Sequence, residues 1–374
     1  MYLPRCASIL LVVVVAVLAA GPAVAETVFA YYPFDQETSS VTPDGQSDND
    51  LTLGADNGAP ATIDSASMFG AGAVKSTQVE AYAQLANGDP DFDVAYTQFS
   101  IALWANQAGG WAEGTSSRSR YLAGKYATGS NRGWSLDVRG GAVNQICLSA
   151  FSTNDPHDPN LFAITDMDTA LAADEFHHVV ATFDAAGTSP ETQIAIYVDG
   201  IRQQGLDFST KYGTPPEPIS HLNGVNANNF QILNRGLTAN DPNAGGGFIG
   251  SIDDCLLATG PVLTDKQVAL LHGLGRLAGV SYGSGTINGE ELASVLDAYD
   301  AQGLAVAGGE TWYYSDNVGG GNTIGTIGGS VATGDAFIVL GTDGSGVNLV
   351  PEPGCLTLLL GILVAFTALR CRVA

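Results

Sequence analysis

Residues 176–184 read FHHVVATFD, and residues 193–200 read QIAIYVDG. Both stretches have the length of a strand and are rich in β-branched and aromatic residues. A loop at residues 185–192 joins them, and the pair Asp199-Gly200 at the end of the second stretch is a strong signal for a tight turn. The two stretches therefore predict an antiparallel hairpin.

Further strand-length runs lie on both sides of this hairpin. Gly, Asp, Asn and Pro clusters bound them, and no long segment with helical periodicity interrupts them. They cover residues 28–34, 98–106, 133–139, 144–151, 229–234 and 247–258. Strands without helices between them need a second sheet to cover their apolar faces, so the sequence predicts an all-β fold with two antiparallel sheets.

The hairpin sequence resembles the central hairpin of the laminin G-like, concanavalin A-like jelly-roll domains. Other landmarks of that family appear in order: YYPFD at 31–35, a Gly/Asn-rich loop DGQSDNDLTLGAD at 44–56, FSIALWANQ at 99–107, GWSLDVR at 133–139 and FIGSIDDCLLATGPVLTDKQVALLHG at 248–273. The resemblance covers residues 26–275 and implies a two-sheet antiparallel jelly-roll sandwich. An insert at 200–229 departs from the pattern, and we interpret it as a loop at the rim.

A short helix is predicted at the end of this domain. Thr264 and Gln267 have the spacing of a capping box. Val268, Leu271 and His272 then fall on neighbouring turns, where they can face the sandwich.

Both ends of the chain have features of export. Residues 1–25 carry a basic start, an apolar core and a small-residue cleavage site before Glu26, which predicts a signal peptide. The last residues comprise the motif Pro351, Glu352 and Pro353, an uncharged run at 354–369, and the basic residues Arg370 and Arg372. As a helix this run spans about 24 Å, which is somewhat short of the roughly 30 Å hydrocarbon layer of a membrane.

The segment 350–374 resembles the PEP-CTERM sorting signal of Gram-negative and related bacteria. That resemblance implies processing by an exosortase-type enzyme and a membrane helix at 354–369. It also implies an association with extracellular polysaccharide. We therefore expect an exported protein that is anchored at the cell surface or released into the extracellular matrix.

The region between the predicted sandwich and this tail is different in character. Residues 276–349 contain one helix pattern starting at Asn288, two strand patterns at 311–315 and 336–341, and Gly-rich sequence. They predict either a small α+β unit or a stalk.

The charge of the chain limits its partners. It has 38 acidic and 14 basic residues, a formal net charge of −24. Binding to nucleic acid needs clusters of Lys and Arg, so we expect no nucleic-acid partner. Acidic loops can attract divalent cations, and the predicted pairing of the first and last strands would bring Asp35 close to Asp253 and Asp254. These three residues are a candidate calcium site, unless they are solvated or capping acids.

Other candidate sites come from individual residues. Cys147 and Cys255 either form a disulfide or are two buried free thiols. His177 and His178 are neighbours on a strand and point to opposite faces, so they cannot bind one ion together. The sequence favours Trp104 and Trp134 as core residues within strands, whereas Trp111 lies in a predicted loop and is free to stack on a ligand.

No catalytic set is recognisable. A jelly-roll glycosidase needs two carboxylates on one face, and the chain has no E-x-D-x-E arrangement. We therefore expect a non-catalytic protein that binds carbohydrate or matrix and supports adhesion, with a structural surface or biofilm-matrix protein as the alternative. A polysaccharide hydrolase or lyase would need a carboxylate pair, or a cluster of Tyr, His and Arg in a cleft.

Overall fold

The computed structural model describes residues 27–32, 34, 41–42, 49–68, 72–108, 119–126, 132–139, 145–153, 160–166, 171–210, 216–235, 246–265, 268, 271–272, 286–288 and 330–332. Strands are numbered along the chain. They are β1 (Thr27–Tyr32), β2 (Val41–Thr42), β3 (Leu51–Ala55), β4 (Thr62–Asp64), β5 (Ala73–Ser76), β6 (Ala81–Leu85), β7 (Ala95–Tyr96), β8 (Gln98–Gln107), β9 (Ser119–Lys125), β10 (Trp134–Arg139), β11 (Gln145–Phe151), β12 (Asn160–Ile164), β13 (Phe176–Asp184), β14 (Ile194–Val198), β15 (Ile201–Arg202), β16 (Asp207–Ser209), β17 (Leu222–Asn223), β18 (Phe230–Ile232), β19 (Gly250–Thr259), β20 (Thr286–Asn288) and β21 (Ser330–Ala332). A short helix, α1, covers Pro190–Gln193.

Two antiparallel sheets form the body of the protein, which confirms the predicted all-β sandwich. The eight-stranded sheet has the order β15-β14-β13-β8-β19-β5-β4, and β1 pairs with β19 beside this path. The nine-stranded sheet has the order β16-β12-β11-β10-β9-β18-β6-β3-β2. Strands with one apolar face each are buried most completely when two such sheets pack face to face.

Alternation along the strands separates the core from the outer faces. In β10, Trp134, Leu136 and Val138 are fully buried between the sheets, and Ser135 and Asp137 point the other way. The register places Leu136 opposite Leu148 of β11. Each core side chain therefore meets a core side chain of the neighbouring strand, and the interior is continuous across the sheet.

The hairpin predicted from residues 176–200 is present as β13 and β14. Its loop contains α1, and the turn after β14 has positive backbone angles at both central residues, with φ of 52° at Asp199 and 78° at Gly200. That geometry matches the twist of the strands and favours Asp-Gly. The turn leads into β15, so the insert at 200–229 is not simply a rim loop. It also holds β16, which pairs with β12, and β17, which pairs with β7.

The first and last strands of the sandwich pair as expected. Tyr32 of β1 lies opposite Cys255 of β19, and Thr27 lies opposite Thr259. The predicted loop at 44–56 is partly wrong, because residues 51–55 form β3 and pair with β6.

Several predicted segments lie outside the described residues. These are the signal peptide 1–25, the helix and strands expected within 276–349, and the tail with Pro351, Glu352, Pro353 and the run 354–369. From 276–349 the structure describes β20 and β21, which pair with each other. Among the helices of the described part, none is long and apolar enough to cross a bilayer.

The two cysteines of the sandwich are free thiols. Cys255 belongs to the core between the sheets. Cys147 lies on the outer face of the nine-stranded sheet, with its sulfur 3.7 Å from the hydroxyl of Ser149 on the same strand. The nine-stranded sheet itself separates the two sulfur atoms, so the structure corrects the disulfide hypothesis in favour of two buried free thiols.

The closing helix packs against the outer face of the eight-stranded sheet. Residues 265, 268, 271 and 272 are helical, and the Val268 N–H donates to the Thr264 carbonyl over 3.0 Å. Val268, Leu271 and His272 are buried, which confirms the predicted apolar face.

Trp104 packs under this helix, which corrects its predicted place in the core. Its ring centre lies 5.0 Å from that of His178 and 5.5 Å from that of His272. His178 is therefore on the outer face and 3% exposed. His177, on the opposite face, lies at the rim, where its Nδ1 contacts Asp199 over 2.8 Å.

We expect His178 to make the protein sensitive to mild acid. Burial, together with the neighbouring His272, lowers the pKa of His178 to about 3. Its pKa in the unfolded chain is about 6.5, so between these values the unfolded state binds the proton and the folded state does not. Stability is therefore full above about pH 6.5 and falls as pH decreases, by about 2 kcal/mol between pH 7 and pH 5.

Denaturation with urea at the two pH values measures this loss. His178→Phe keeps an aromatic ring in contact with Trp104 and His272 but cannot titrate, and we expect it to remove most of the difference. An unchanged pH profile in this variant would contradict the assignment to His178.

Candidate functional site

The outer face of the nine-stranded sheet is crowded with arginines and aromatic rings. It is built by the residues that alternate with the core set, together with three residues that flank the strands, Tyr126, Arg132 and Arg235. We define the arginine–aromatic face as Tyr121, Tyr126, Arg132, Asp137, Arg139, Phe151, Phe162 and Arg235.

Two arginines of this face are held by tyrosines. The Nη1 of Arg235 donates to the hydroxyl of Tyr121 over 2.8 Å, and its guanidinium carbon lies 4.8 Å from the centre of the same ring. The Nη1 of Arg132 donates to the hydroxyl of Tyr126 over 2.9 Å. Because both arginines are buried, these hydrogen bonds and ring contacts replace much of the water that the guanidinium groups lose.

A row of rings connects the buried part of the face to its open end. Tyr126 stacks on Phe151 at 5.3 Å between ring centres, and Phe151 meets Phe162 edge-on at 5.5 Å. The guanidinium of Arg139 lies 5.1 Å from the centre of the Phe162 ring. The Arg139 side chain is 30% exposed and Phe162 is half-buried, so this end is accessible to solvent.

Asp137 is the carboxylate at the centre of the face. It is fully buried, accepts a long hydrogen bond of 3.4 Å from the Ser149 hydroxyl, and lies 3.7 Å from the Nε of Arg139. Burial raises the pKa of Asp137, and the charges of Arg139 and Arg235 oppose that rise only in part. Burial also raises the pKa of the Cys147 thiol next to it, so this cysteine is not a thiolate nucleophile at neutral pH.

The arrangement of carboxylates decides what chemistry the described residues can perform. In the row of side chains that contains Asp137, the next carboxylate of the described strands is Asp207, in β16. Three strand spacings of about 4.8 Å separate them, roughly 14 Å in all. A retaining glycosidase needs about 5–5.5 Å and an inverting one about 6.5–9.5 Å, so this pair fits neither mechanism.

The family of the chain follows from a comparison of its sequence with models of known families. Residues 75–269 match the model of the concanavalin A-like lectin/glucanases superfamily, which is more than half of the chain. The chain belongs to this superfamily. The jelly-roll resemblance is thereby confirmed for these residues.

Solved structures similar to this superfamily member are distant. Domain 4 of AbnA, an extracellular GH43 arabinanase from Geobacillus stearothermophilus solved in complex with arabinotriose, is 15% identical with a TM-score of 0.40; the match covers 66% of this chain and 98% of that one. The sialidase of Trypanosoma rangeli in complex with sialic acid is 14% identical with a TM-score of 0.41, over 68% of this chain and 33% of the sialidase. The chain thus spans about a third of the sialidase. No curated protein sequence matches the chain.

Two of the predicted calcium residues, Asp253 and Asp254, lie elsewhere in the sandwich, in β19. The Asp253 Oδ2 accepts the Met68 N–H over 2.7 Å, and the Asp254 Oδ1 accepts the Tyr31 hydroxyl. Asp35 is outside the described residues. Within the described part, no group of three or more His, Cys, Asp or Glu side chains is placed to hold a metal ion. Since the candidate site depends on Asp35, calcium stays a prediction.

Sequence reasoning missed the arginine–aromatic face, although part of the signal was present. In the stretch GWSLDVR at 133–139, the apolar residues Trp134, Leu136 and Val138 predict the core face of a strand. On a strand, the residues between them share the other face, so Asp137 and Arg139 were predictable neighbours. The predicted ligand residue Trp111 lies outside the described residues, and its role stays a prediction.

Proposed function

We propose that this superfamily member is an exported, non-catalytic carbohydrate-binding protein whose arginine–aromatic face holds a glycan of the extracellular matrix. The observation that carries the proposal is the open end of that face, where Arg139 is stacked on Phe162 beside the half-buried Gln145. A sugar has apolar ring faces and hydroxyl edges. The guanidinium fork of Arg139 offers donors to the hydroxyl edges, and the exposed part of the Phe162 ring beneath it offers an apolar surface to the ring faces.

The open end is supported from within, which favours binding. Arg139 faces the buried Asp137, and Phe162 is held by Phe151. A side chain that is already positioned loses less conformational freedom when a ligand arrives, so more of the interaction energy becomes affinity.

The proposal of binding over hydrolysis rests on the chemistry of the same face. A glycosidase would need a second carboxylate near Asp137, and the described strands of the nine-stranded sheet offer only the distant Asp207. The hydroxyls of Tyr121 and Tyr126 accept hydrogen bonds from arginines, and burial raises the pKa of both. They are therefore poor bases at neutral pH, although the face does have the Tyr and Arg cluster that a lyase would also need.

Export and anchoring are part of the proposal and rest on the sequence of the two ends. The signal-peptide pattern at 1–25 supports secretion, and the PEP-CTERM-like tail supports processing by an exosortase-type enzyme and attachment through 354–369. A glycan-binding domain at the end of such an anchor would link the cell surface to extracellular polysaccharide.

The experiment is a glycan array with the full chain, followed by calorimetry on the strongest ligand. We expect Arg139→Ala to weaken binding about tenfold, which corresponds to about 1.4 kcal/mol. The substitution removes the hydrogen-bond donors of the guanidinium and its packing on the Phe162 ring at the same time.

Lys75→Ala is the matched control, since it removes a half-exposed cation from the eight-stranded sheet. Its binding is expected to stay within about twofold of the unmodified protein. The proposal fails if no glycan binds, or if Arg139→Ala binds as well as the control.

A further inference from the structure

A cavity of about 480 Å³ lies on the outer face of the eight-stranded sheet, away from the arginine–aromatic face. It opens between the β13–β14 hairpin and the segment 262–265 that leads into the closing helix. We call it the hairpin cavity. Its volume is within the range of about 300–1,000 Å³ found for small-molecule sites.

The floor of the hairpin cavity is formed by buried side chains of the hairpin. Thr182 and Ala195 face each other across the β13–β14 ladder, and Tyr197 follows two residues later on the same face. Thr182 is 3% exposed, Ala195 7% and Tyr197 2%. The small side chain at position 195 leaves the space that a larger residue would fill.

The wall of the cavity is fixed by hydrogen bonds on both sides. The backbone N–H of Leu263 donates to the Ser100 hydroxyl over 3.1 Å, which holds the segment 262–265 above β8. The Tyr197 hydroxyl donates to the Asp265 Oδ1 over 2.6 Å. The cavity is therefore part of the folded structure and needs no rearrangement to form.

The rim carries groups that form hydrogen bonds. The Asp184 and Asp265 carboxylates are half-buried, and so is Arg202, whose Nη1 lies 3.6 Å from Asp265. Two carboxylates and one guanidinium leave a net charge of −1 at the rim. A ligand with its own negative charge is repelled, whereas hydroxyl groups can donate to the carboxylates and accept from the guanidinium.

The interior of the hairpin cavity is mostly apolar, in contrast to its polar rim. Ala195, Val262 and the Tyr197 ring are apolar surface, and the Thr182 hydroxyl is a single polar point within it. No hydrogen bond between described side chains uses that hydroxyl. An apolar floor with few polar points and a polar rim suits a molecule with one apolar face and several hydroxyls.

We propose that the hairpin cavity is a second ligand site, which takes one uncharged sugar residue of a glycan. It is separate from the face assigned above, because the two lie on the outer faces of opposite sheets. Two sites on one domain let a single molecule bridge two glycan chains, or hold one chain at two points with a gain in avidity.

The test uses the full chain labelled with ¹⁵N and titrated with methyl glucoside, methyl galactoside, methyl N-acetylglucosaminide and glucuronate. We expect at least one neutral glycoside to shift the amide signals of Ala195 and Tyr197. Ala195→Leu projects three more carbon atoms from the floor into the cavity. It is expected to weaken that binding at least about tenfold, or about 1.4 kcal/mol. Ala95→Leu places the same side chain at an exposed position of β7 and is the matched control.

The titrations and the variants together either support or overturn the proposed sugar site. The proposal is overturned if none of the neutral probes shifts these amides, if Ala195→Leu binds like Ala95→Leu, or if glucuronate binds as tightly as the neutral glycosides. If Ala195→Leu does not fold, Thr182→Val replaces it, because it removes the hydroxyl and keeps the shape of the side chain. Arg139→Ala is expected to leave these amide shifts unchanged. A failure of the glycan-binding proposal for the arginine–aromatic face can therefore be distinguished from a failure of the proposal for the hairpin cavity.

Discussion

Replacing Trp134 with alanine is expected to lower the free energy of unfolding by about 3–5 kcal/mol. The Trp134 side chain is fully buried and joins the two sheets, with its ring centre 4.7 Å from that of Phe99 in β8 and 6.0 Å from that of Phe230 in β18. Alanine would leave a cavity between rings that the sheet backbones hold apart. The lost dispersion contacts would not be recovered by collapse.

Urea denaturation of the full chain, followed by circular dichroism, measures this loss. Trp104→Ala is the control, since Trp104 is also buried but lies under the closing helix. We expect Trp104→Ala to act mainly on the closing helix, where it would speed hydrogen exchange at the amides of Val268 and Leu271, and to lower global stability less than Trp134→Ala. Equal losses of global stability in the two variants would show that the core is not centred on Trp134.

Adding a single methyl group at Gly133 is expected to cost about 3 kcal/mol or more. A Cβ at this position would lie 1.9 Å from the Lys125 carbonyl oxygen and 2.5 Å from the Asn226 Nδ2. Neither neighbour can move easily, because the Asn226 Nδ2 donates to that same carbonyl over 3.1 Å. Relief of the clash would require the strands β9 and β10 to separate at this end.

The melting temperature of Gly133→Ala tests the argument, and Gly205→Ala is its control. Gly205 has a φ of +65° with open space around its Cβ position, so alanine there costs only the backbone strain, about 1–2 kcal/mol. A Gly133→Ala protein as stable as this control would refute the close approach. Because Gly133 precedes Trp134 and follows Arg132, we also expect this substitution to displace the hydrogen bond from Arg132 to Tyr126.

The hairpin was predictable because its determinants are local. The residues of β13 and β14 pair over a short connection, and Asp199-Gly200 fixes the turn in sequence. The alternation in β10 likewise identified Trp134 as a core residue. The strands that the sequence did not reveal, such as β12 and β16, are short and take their stability from the neighbours that they pair with.

Trp104 shows why alternation alone could not separate core from periphery. In β8 the residues of both faces are buried, one set between the sheets and the other under the closing helix. The outer set, Ser100, Ala102, Trp104 and Asn106, is only partly polar, and a strand covered on both sides carries no fully polar face to mark its orientation. Whether Trp104 is buried on its side depends on where the closing helix docks, which is information from the whole fold.

The arginine–aromatic face was hidden for a related reason. Arg235 and its hydrogen-bond partner Tyr121 are 114 residues apart in the chain. Arg132 and Tyr126 are close in sequence but meet only because β9 and β10 bend back on each other. No spacing rule connects such residues, so only the three-dimensional structure could bring them together.

The pairing of β19 with β8, β5 and β1 determines how the protein would respond to mechanical tension. The chain leaves β19 through the segment 262–265 and the closing helix, which are docked on the same sheet, so a pull on the following chain loads β19 only after these contacts are released. β19 itself is hydrogen-bonded on both sides. Such a strand can leave only by sliding past its neighbours, so many bonds share the force at once. If the protein binds a glycan through the nine-stranded sheet and is anchored through its tail, as proposed above, the load between them would pass through this strand.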